Sequence, residues 1–370
     1  MESGSIIVVK VGTSSITDAS GSIDASKIKA ITDQVSALHS DGYKPVIVTS
    51  GAIAAGFRCL GFKKRPKSIP EKQASASVGQ GLLMELYSEN LMADGITCGQ
   101  LLLDREDFAD RTRYKNAFNS VQVLLSHGAV PIINENDAIS IDEIKIGDND
   151  TLSAQVAAMI HAKVLVLLTD IDGLYTADPR KDPGARHIDT VEEITPEILA
   201  LAGGAGSDNG TGGMVTKLRG AAIASAAGVL TVICSFKEES CILKAVSGKA
   251  RMTVIKPMPS VMHVKKQWMA FYANRSGCIY VDDGAAAALR ARGSSLLSAG
   301  VVSYEGDFIT GDVIDVYTMG EHEYLGCGIA RCSKAALARA CGNHEGGLEV
   351  INRDDWVGSH GLPAIGGRRI

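Results

Sequence analysis

The chain has 370 residues, long enough for two domains and a sizeable core. It is 45% hydrophobic and 21% charged with a net charge of −5, a globular composition that excludes a broad electrostatic attraction to nucleic acid, though not a local basic patch. It has no run of about 20 apolar residues, so no membrane-spanning helix is expected.

The start, MESGSIIVVKVG, lacks the charged region and long apolar stretch of a secretory signal. The eight cysteines form no C-x-x-C pair and no zinc-ligand spacing with histidine. Reduced thiols in a cytoplasmic protein without a protein-held metal are therefore expected.

In chain order, short apolar runs alternate with helical patterns over the first 250 residues. The runs are SIIVVKVG, KPVIVTSG, ITCGQLLLD, AVPIINEN, KVLVLLTD and VLTVICS. Most lack polar alternation, as strands of a parallel sheet buried on both faces do. Between them, SKIKAITDQVSALHS, RYKNAFNSVQVLLSH and TLSAQVAAMI read as helices. The alternation predicts an α/β fold, a mostly parallel central sheet with helices on both faces.

Run after run ends in small polar or acidic residues: Lys10 and Gly12, Thr49 and Ser50, Asn134 to Asp137, Thr169 and Asp170. Ligands of open parallel sheets bind outside the carboxyl ends of the strands, so these endings point to one shared site. GDND adds Asp148, Asn149 and Asp150 directly before a helix, more polar residues than one helix cap needs. An aspartate there suits a substrate ammonium and an asparagine a carboxylate.

GTGGMVTK, residues 210–217, places three glycines before a helix and ends in Lys217. Loose backbone at a helix start makes an anion site, and phosphate is the usual anion. It is not a Walker loop, because Lys217 follows Thr216 rather than a glycine. Lys10 and Lys217 together suit a polyphosphate. No Ser/His/Asp arrangement stands out. Lysines, carboxylates and glycines without an imidazole base suit phosphoryl transfer to a carboxylate, which is already ionised at neutral pH.

Near residue 250 the texture changes. KPMPSVMHVKKQW is basic and contains proline, and reads as a linker. Short β-like pieces split by glycines follow, predicting a small β-rich barrel with one or two helices. The expected boundaries are 1–255 for the first domain, 256–274 for the linker, 275–360 for the barrel and 361–370 for a tail.

VVKVGTSS, VIVTSGAIAAG, INENDAI, GDNDTLSAQVA, LLTDIDGLYTADPR and GTGGMVTKLRGA resemble, in order, the motifs of the glutamate 5-kinases, a branch of the amino acid kinase family. The part after the linker resembles a PUA domain. The resemblance implies an αβα sandwich that phosphorylates the γ-carboxylate of L-glutamate from ATP, the first step of proline biosynthesis, with Mg²⁺ on the ATP phosphates. It also implies inhibition by proline and a homodimer or homotetramer.

The resemblance assigns Lys10, Lys217, Asp150 and Asp170 to catalysis. Ser50, Asn134, Asp137, Asp148 and Asn149 go to glutamate, with Asp148 or Asp137 at its ammonium and Asn149 at its α-carboxylate. Lys10, Gly12, Thr169, Asp170, Thr211, Gly212, Gly213, Met214, Val215, Thr216 and Lys217 go to ATP. Other members of the superfamily, or an RNA-associated regulator acting through the second domain, are the alternatives. Three positions depart from the pattern. Ile146 replaces an aromatic, CSFKEES at 234–240 replaces a glycine-containing turn, and GIARCSK lacks a tyrosine. The last weakens the case for RNA binding.

Overall fold

The computed structural model describes residues 2–139, 149–202, 213–259, 264–291, 294–342, 347–359, 364–365 and 368–369. Asp148, Thr211, Gly212 and Ile146 lie outside the described residues. Contacts divide the chain into two compact units, Met1–Asp107 with Arg111–Val261, and Phe108–Asp110 with Met262–Ile370.

In the first unit the apolar runs form β1 (Ile6–Lys10), β2 (Lys44–Val48), β3 (Cys98–Leu103), β4 (Val130–Glu135) and β5 (Val164–Thr169). The short strands β6 (Leu174–Tyr175), β7 (His187–Ile188) and β8 (Thr190–Val191) follow, then β9 (Leu230–Ser235) and β10 (Met252–Ile255). One eight-stranded sheet has the order β3-β4-β2-β1-β5-β9-β10-β8. Its pairs are parallel except β9–β10. β4 and β5 are buried along their whole length, which is why their sequences do not alternate. Register aligns the carboxyl ends, with Lys10 opposite Val48 and Leu167, and Thr169 opposite Ser235.

The helices are α1 (Thr13–Ile16), α2 (Ala25–Ser40), α3 (Ala52–Gly56), α4 (Ile69–Ala93), α5 (Arg105–Ala109), α6 (Arg111–Ser126), α7 (Asn149–Met159), α8 (Pro196–Ala202), α9 (Met214–Ala226) and α10 (Cys241–Ser247). α3 starts where β2 ends, because Gly51 turns the chain at φ 103°, a region that disfavours a side chain. At the CSFKEES departure, Ser240 takes φ 55°, so a non-glycine residue sits in the left-handed region there.

The second unit holds a six-stranded mixed sheet whose core includes Ile279, Val281, Phe308, Ile314, Val316 and Leu337. The stretch expected as a linker is only partly one, because Val264–Phe271 is helical. Arg275 explains the helix's end. Its Nη1 donates to the carbonyls of Met269 and Ala273 at 2.8 Å, and its Nε to Asp315 Oδ1 at 2.8 Å. These bonds satisfy carbonyls that a helix terminus leaves unpaired.

Among the described residues near the strand ends, a close backbone approach joins α3 and α4. A Cβ on Gly79 would lie 1.8 Å from the Ala52 carbonyl oxygen, and one on Gly56 would lie 2.0 Å from that of Ser75. Gly81, two residues along α4, has open space around it. Gly79→Ala should therefore cost about 1–3 kcal/mol by overpacking, or roughly 2–4 °C of Tm per kcal/mol. Gly81→Ala should raise stability by roughly 0.5–1 kcal/mol, through better helix propensity. Thermal unfolding of the two variants checks the pair.

Candidate active site

Three elements bring three charges together. β1 ends in Lys10, α7 carries Asp150 in its first turn, and α9 carries Lys217 one turn from its start. Lys10 Nζ lies 2.6 Å from Asp150 Oδ1, and Lys217 Nζ lies 3.1 Å from Oδ2. Thr216 Oγ1 is 2.8 Å from the same Oδ2. Asp150 is fully buried and each lysine is only 6% exposed. Gly220 makes this possible, since a Cβ there would come within 2.8 Å of the Asp150 carbonyl and hold α9 off α7.

Burial opposes ionisation of Asp150, but the ammonium charges of Lys10 and Lys217 outweigh it and hold the carboxyl below its ordinary range. Two cations on one anion leave a net charge of about +1 at the strand ends, in a place of low polarisability. An excess of positive charge of this kind favours an anion.

Lys10 and Lys217 of this group line a cleft of about 570 Å³. Gly12, Thr169 and Asp170 line it on one side, and Ser50, Asp137 and Asn149 on the other. Arg65 and Lys72 complete the wall. Asp170 sits at an exposed edge, accepting from Thr169 Oγ1 at 3.2 Å and pairing with Arg180 at 3.6 Å rather than with either buried lysine. Gly213 caps α9 and Met214 and Val215 form its first turn, and none of the three lines the cleft.

Asn134 is fully buried and does not line the cleft, contrary to its expected role as a substrate contact. It belongs instead to an amide relay. The backbone N–H of Glu135 donates to Asn134 Oδ1 at 2.9 Å, which fixes the amide's orientation. Its Nδ2 then donates to Gln80 Oε1 at 2.8 Å. Asn149 Nδ2 donates to the Thr49 carbonyl at 2.5 Å, and it also reaches Ser50 Oγ at 2.8 Å and Asn134 Oδ1 at 2.9 Å. A carbonyl only accepts, so the nitrogen of Asn149 faces the protein. Its two amide hydrogens are engaged by protein acceptors, which leaves the carbonyl oxygen as its ligand-facing group. The side chain of Asn149 thus presents an acceptor, so its amide nitrogen is not the group that would meet a carboxylate.

α4, whose polar and apolar residues do not separate cleanly in the sequence, supports this wall. Gly79 lies against α3, Gln80 closes the amide relay, and the Tyr87 hydroxyl meets Thr49 Oγ1 at 2.9 Å. Burial pushes the Tyr87 phenol up to about 12, against the Thr49 hydrogen bond, so it stays neutral. Only the spacing of Ala76, Gly79, Gln80, Leu83 and Tyr87 along one face could have pointed to it.

An eight-stranded, mostly parallel sheet with a buried Lys–Asp–Lys cluster and a hydroxyl-, amide- and carboxylate-lined cleft at its strand ends defines a phosphotransferase-like architecture. The amino acid kinase family model matches residues 5–235, and the PUA domain model matches residues 277–349. The chain belongs to the amino acid kinase family. It is 54% identical to the glutamate 5-kinase of Streptococcus suis (strain 05ZYH33), over 95% of this chain and 98% of that one. It is 51% identical to the glutamate 5-kinase of Neisseria meningitidis serogroup C, over 95% of each chain. Among solved structures, it is similar to carbamate kinase from Giardia lamblia bound to AMP-PNP, with 20% identity and a TM-score of 0.49, over 70% of this chain and 100% of that one. No helix among the described residues is long and apolar enough to cross a membrane.

Removing the central carboxylate should unfold the protein more easily. Asp150→Asn leaves two buried ammonium groups without their shared counter-ion, at a cost of about 3–5 kcal/mol. The carboxyl is held low in the folded state, so its contribution is complete above the unfolded value of about 3.9 and is lost as pH falls through the folded value. Urea unfolding should therefore show a wide gap between wild type and Asp150→Asn at pH 7. The gap should narrow in the acid range.

Proposed function

We propose that this chain transfers the γ-phosphoryl group of ATP to the γ-carboxylate of L-glutamate, giving L-glutamyl 5-phosphate for proline biosynthesis. The family membership and the glutamate 5-kinase relatives support the reaction. The observation that carries the chemical reading is Asp150 between two lysines at the strand ends.

The acceptor is ionised at neutral pH and attacks without a general base. The remaining task is to place two anions in line and to neutralise the charge of the transferring group. Asp150 fixes both lysines, and their ammonium groups, Lys10 from the β1 end and Lys217 from α9, face the transferring phosphoryl group. Both charges are in place before reaction, so little reorganisation is needed during transfer.

Thr169, Asp170, Gly12 and Lys217 of α9 hold the nucleotide, with Asp170 as a positioning group at the rim. Mg²⁺, carried in with ATP, would neutralise part of the phosphate charge. The cleft carboxylates Glu135, Asp137 and Asp170 are hard oxygen donors of the kind that ion accepts, and the described residues include no cluster of three or more metal ligands.

At the other end, Asp137 and the carbonyl oxygen of Asn149 are acceptors for the α-ammonium of glutamate. Ser50 Oγ accepts from Asn149, so its own hydroxyl hydrogen is available to a carboxylate. Proline shares the α-groups of glutamate and lacks the acceptor carboxylate, so it should occupy the same subsite and inhibit competitively. Assembly as a homodimer or homotetramer belongs to the same reading.

Hydroxylamine trapping tests the reaction. Glutamate and ATP should give γ-glutamyl hydroxamate in step with ADP, while aspartate and N-acetylglutamate should give little. ADP release that ignores glutamate contradicts the proposal. Lys217→Met should lower kcat by roughly 10²-fold or more, the scale of losing one preorganised donor, with a far smaller change in glutamate KM. Steady-state kinetics of the folded variant measure both.

A further inference from the structure

If Asn149 serves only as an acceptor, the α-carboxylate of the substrate has at most the neutral Ser50 hydroxyl as a donor, and no charged partner. Of the described residues that line the cleft, four carry a positive charge: Lys10, Lys217, Arg65 and Lys72. The first two are tied to Asp150. The other two line the same cleft as Ser50, Gly51 and Ile53.

Lys72 is held there by a rigid frame. It lies in the first turns of α4, with its backbone N–H donating to the Ser68 carbonyl at 3.1 Å. It shares a helix face with Ala76, Gly79 and Leu83, at the spacing of one face of an α-helix. That face is the one that lies on α3, and α3 begins directly after Ser50 and Gly51. The close contact at Gly79 therefore fixes the base of Lys72 relative to Ser50. Lys72 is partly buried, whereas Arg65, on the segment before α4, is exposed.

We propose that Lys72, with Arg65 beside it, recognises the α-carboxylate of the acceptor amino acid and so selects free amino acids over α-amidated ones. The inference rests on the amino acid kinase reading above and adds the group that reads one end of the substrate. It also divides the labour among the cleft's cations. The buried pair serves the phosphoryl group, and the wall pair serves the substrate's non-reacting carboxylate. A positive side chain over a carboxylate makes a charge-assisted hydrogen bond, stronger than a neutral one.

The test compares L-glutamate with its α-amide, which keeps the γ-carboxylate and the ammonium but loses the α-charge. Both are assayed with ATP for wild type, Lys72→Met, Arg65→Met and Lys72→Arg, and the α-amide is also measured as a competitive inhibitor against glutamate. Lys72→Met should lower kcat/KM for glutamate by about 10–100-fold, the loss of one charged hydrogen bond. It should leave the α-amide's turnover or inhibition constant nearly unchanged, so that the preference for glutamate collapses. Arg65→Met should give a smaller change in the same direction, and Lys72→Arg should restore most of the preference.

Equal losses for both compounds would show a structural role for Lys72. An unchanged preference would show that the carboxylate is held elsewhere, for instance by backbone N–H groups. Either result overturns the proposal. If wild type forms no acyl phosphate from glutamate at all, the reaction assignment fails instead, and the two failures are distinguishable.

Discussion

One buried carboxylate carrying two ammonium groups organises the first unit. Asp150 has no exposure, and Lys10 and Lys217 approach its two oxygens from different elements. An ion group this deep is costly to desolvate, and it persists because each charge has a partner at close range. Its geometry requires β1, α7 and α9 to meet at one point. The parallel sheet supplies that point by aligning the carboxyl ends of its strands, and Gly220 removes the side chain that would keep α9 away. The group's remaining net positive charge favours an anion beside it, and its cations are already oriented.

A second, neutral network sets the opposite wall. It runs from Gln80 through Asn134 to Asn149, and from Tyr87 through Thr49 to the same carbonyl that Asn149 grips. Two backbone groups, the Glu135 N–H and the Thr49 carbonyl, leave the amides one consistent orientation. The side of Asn149 that a ligand meets is thereby decided deep in the core. The same helix that supplies Gln80 and Tyr87 also supplies Lys72, so packing of α4 on α3 fixes hydrogen-bond polarity and charge position together.

The charge cluster was largely legible in the sequence. Lys10, Asp150 and Lys217 each stand at a strand end or a helix start, and the fold brings such positions together whatever the details of packing. The sheet was legible for the same reason, because buried parallel strands are written as uninterrupted apolar runs. The amide relay was not. Asn134 sits in a polar strand ending like the true cleft residues, and only the hydrogen bond from Glu135 N–H reveals that its side chain points into the core. α4 escaped notice because Val78 and Leu82 on its outer face are apolar too, so its inner face does not stand out. The helix at Val264–Phe271 was hidden by its basic, proline-flanked composition. Its end depends on Arg275, which lies outside the helix itself.

If Asp150 is the shared anchor of both lysines, Asp150 and Lys217 act as a unit, and losing either disables the same interaction. A double-mutant cycle on kcat, with Asp150→Asn, Lys217→Met and the double variant assayed in the folded state, measures this directly. The double variant should be little slower than the slower single variant, an interaction far from additive. If the two losses multiply as independent effects, the carboxylate and the lysine do not work through one another, and Asp150 is not the element that orients the phosphoryl site.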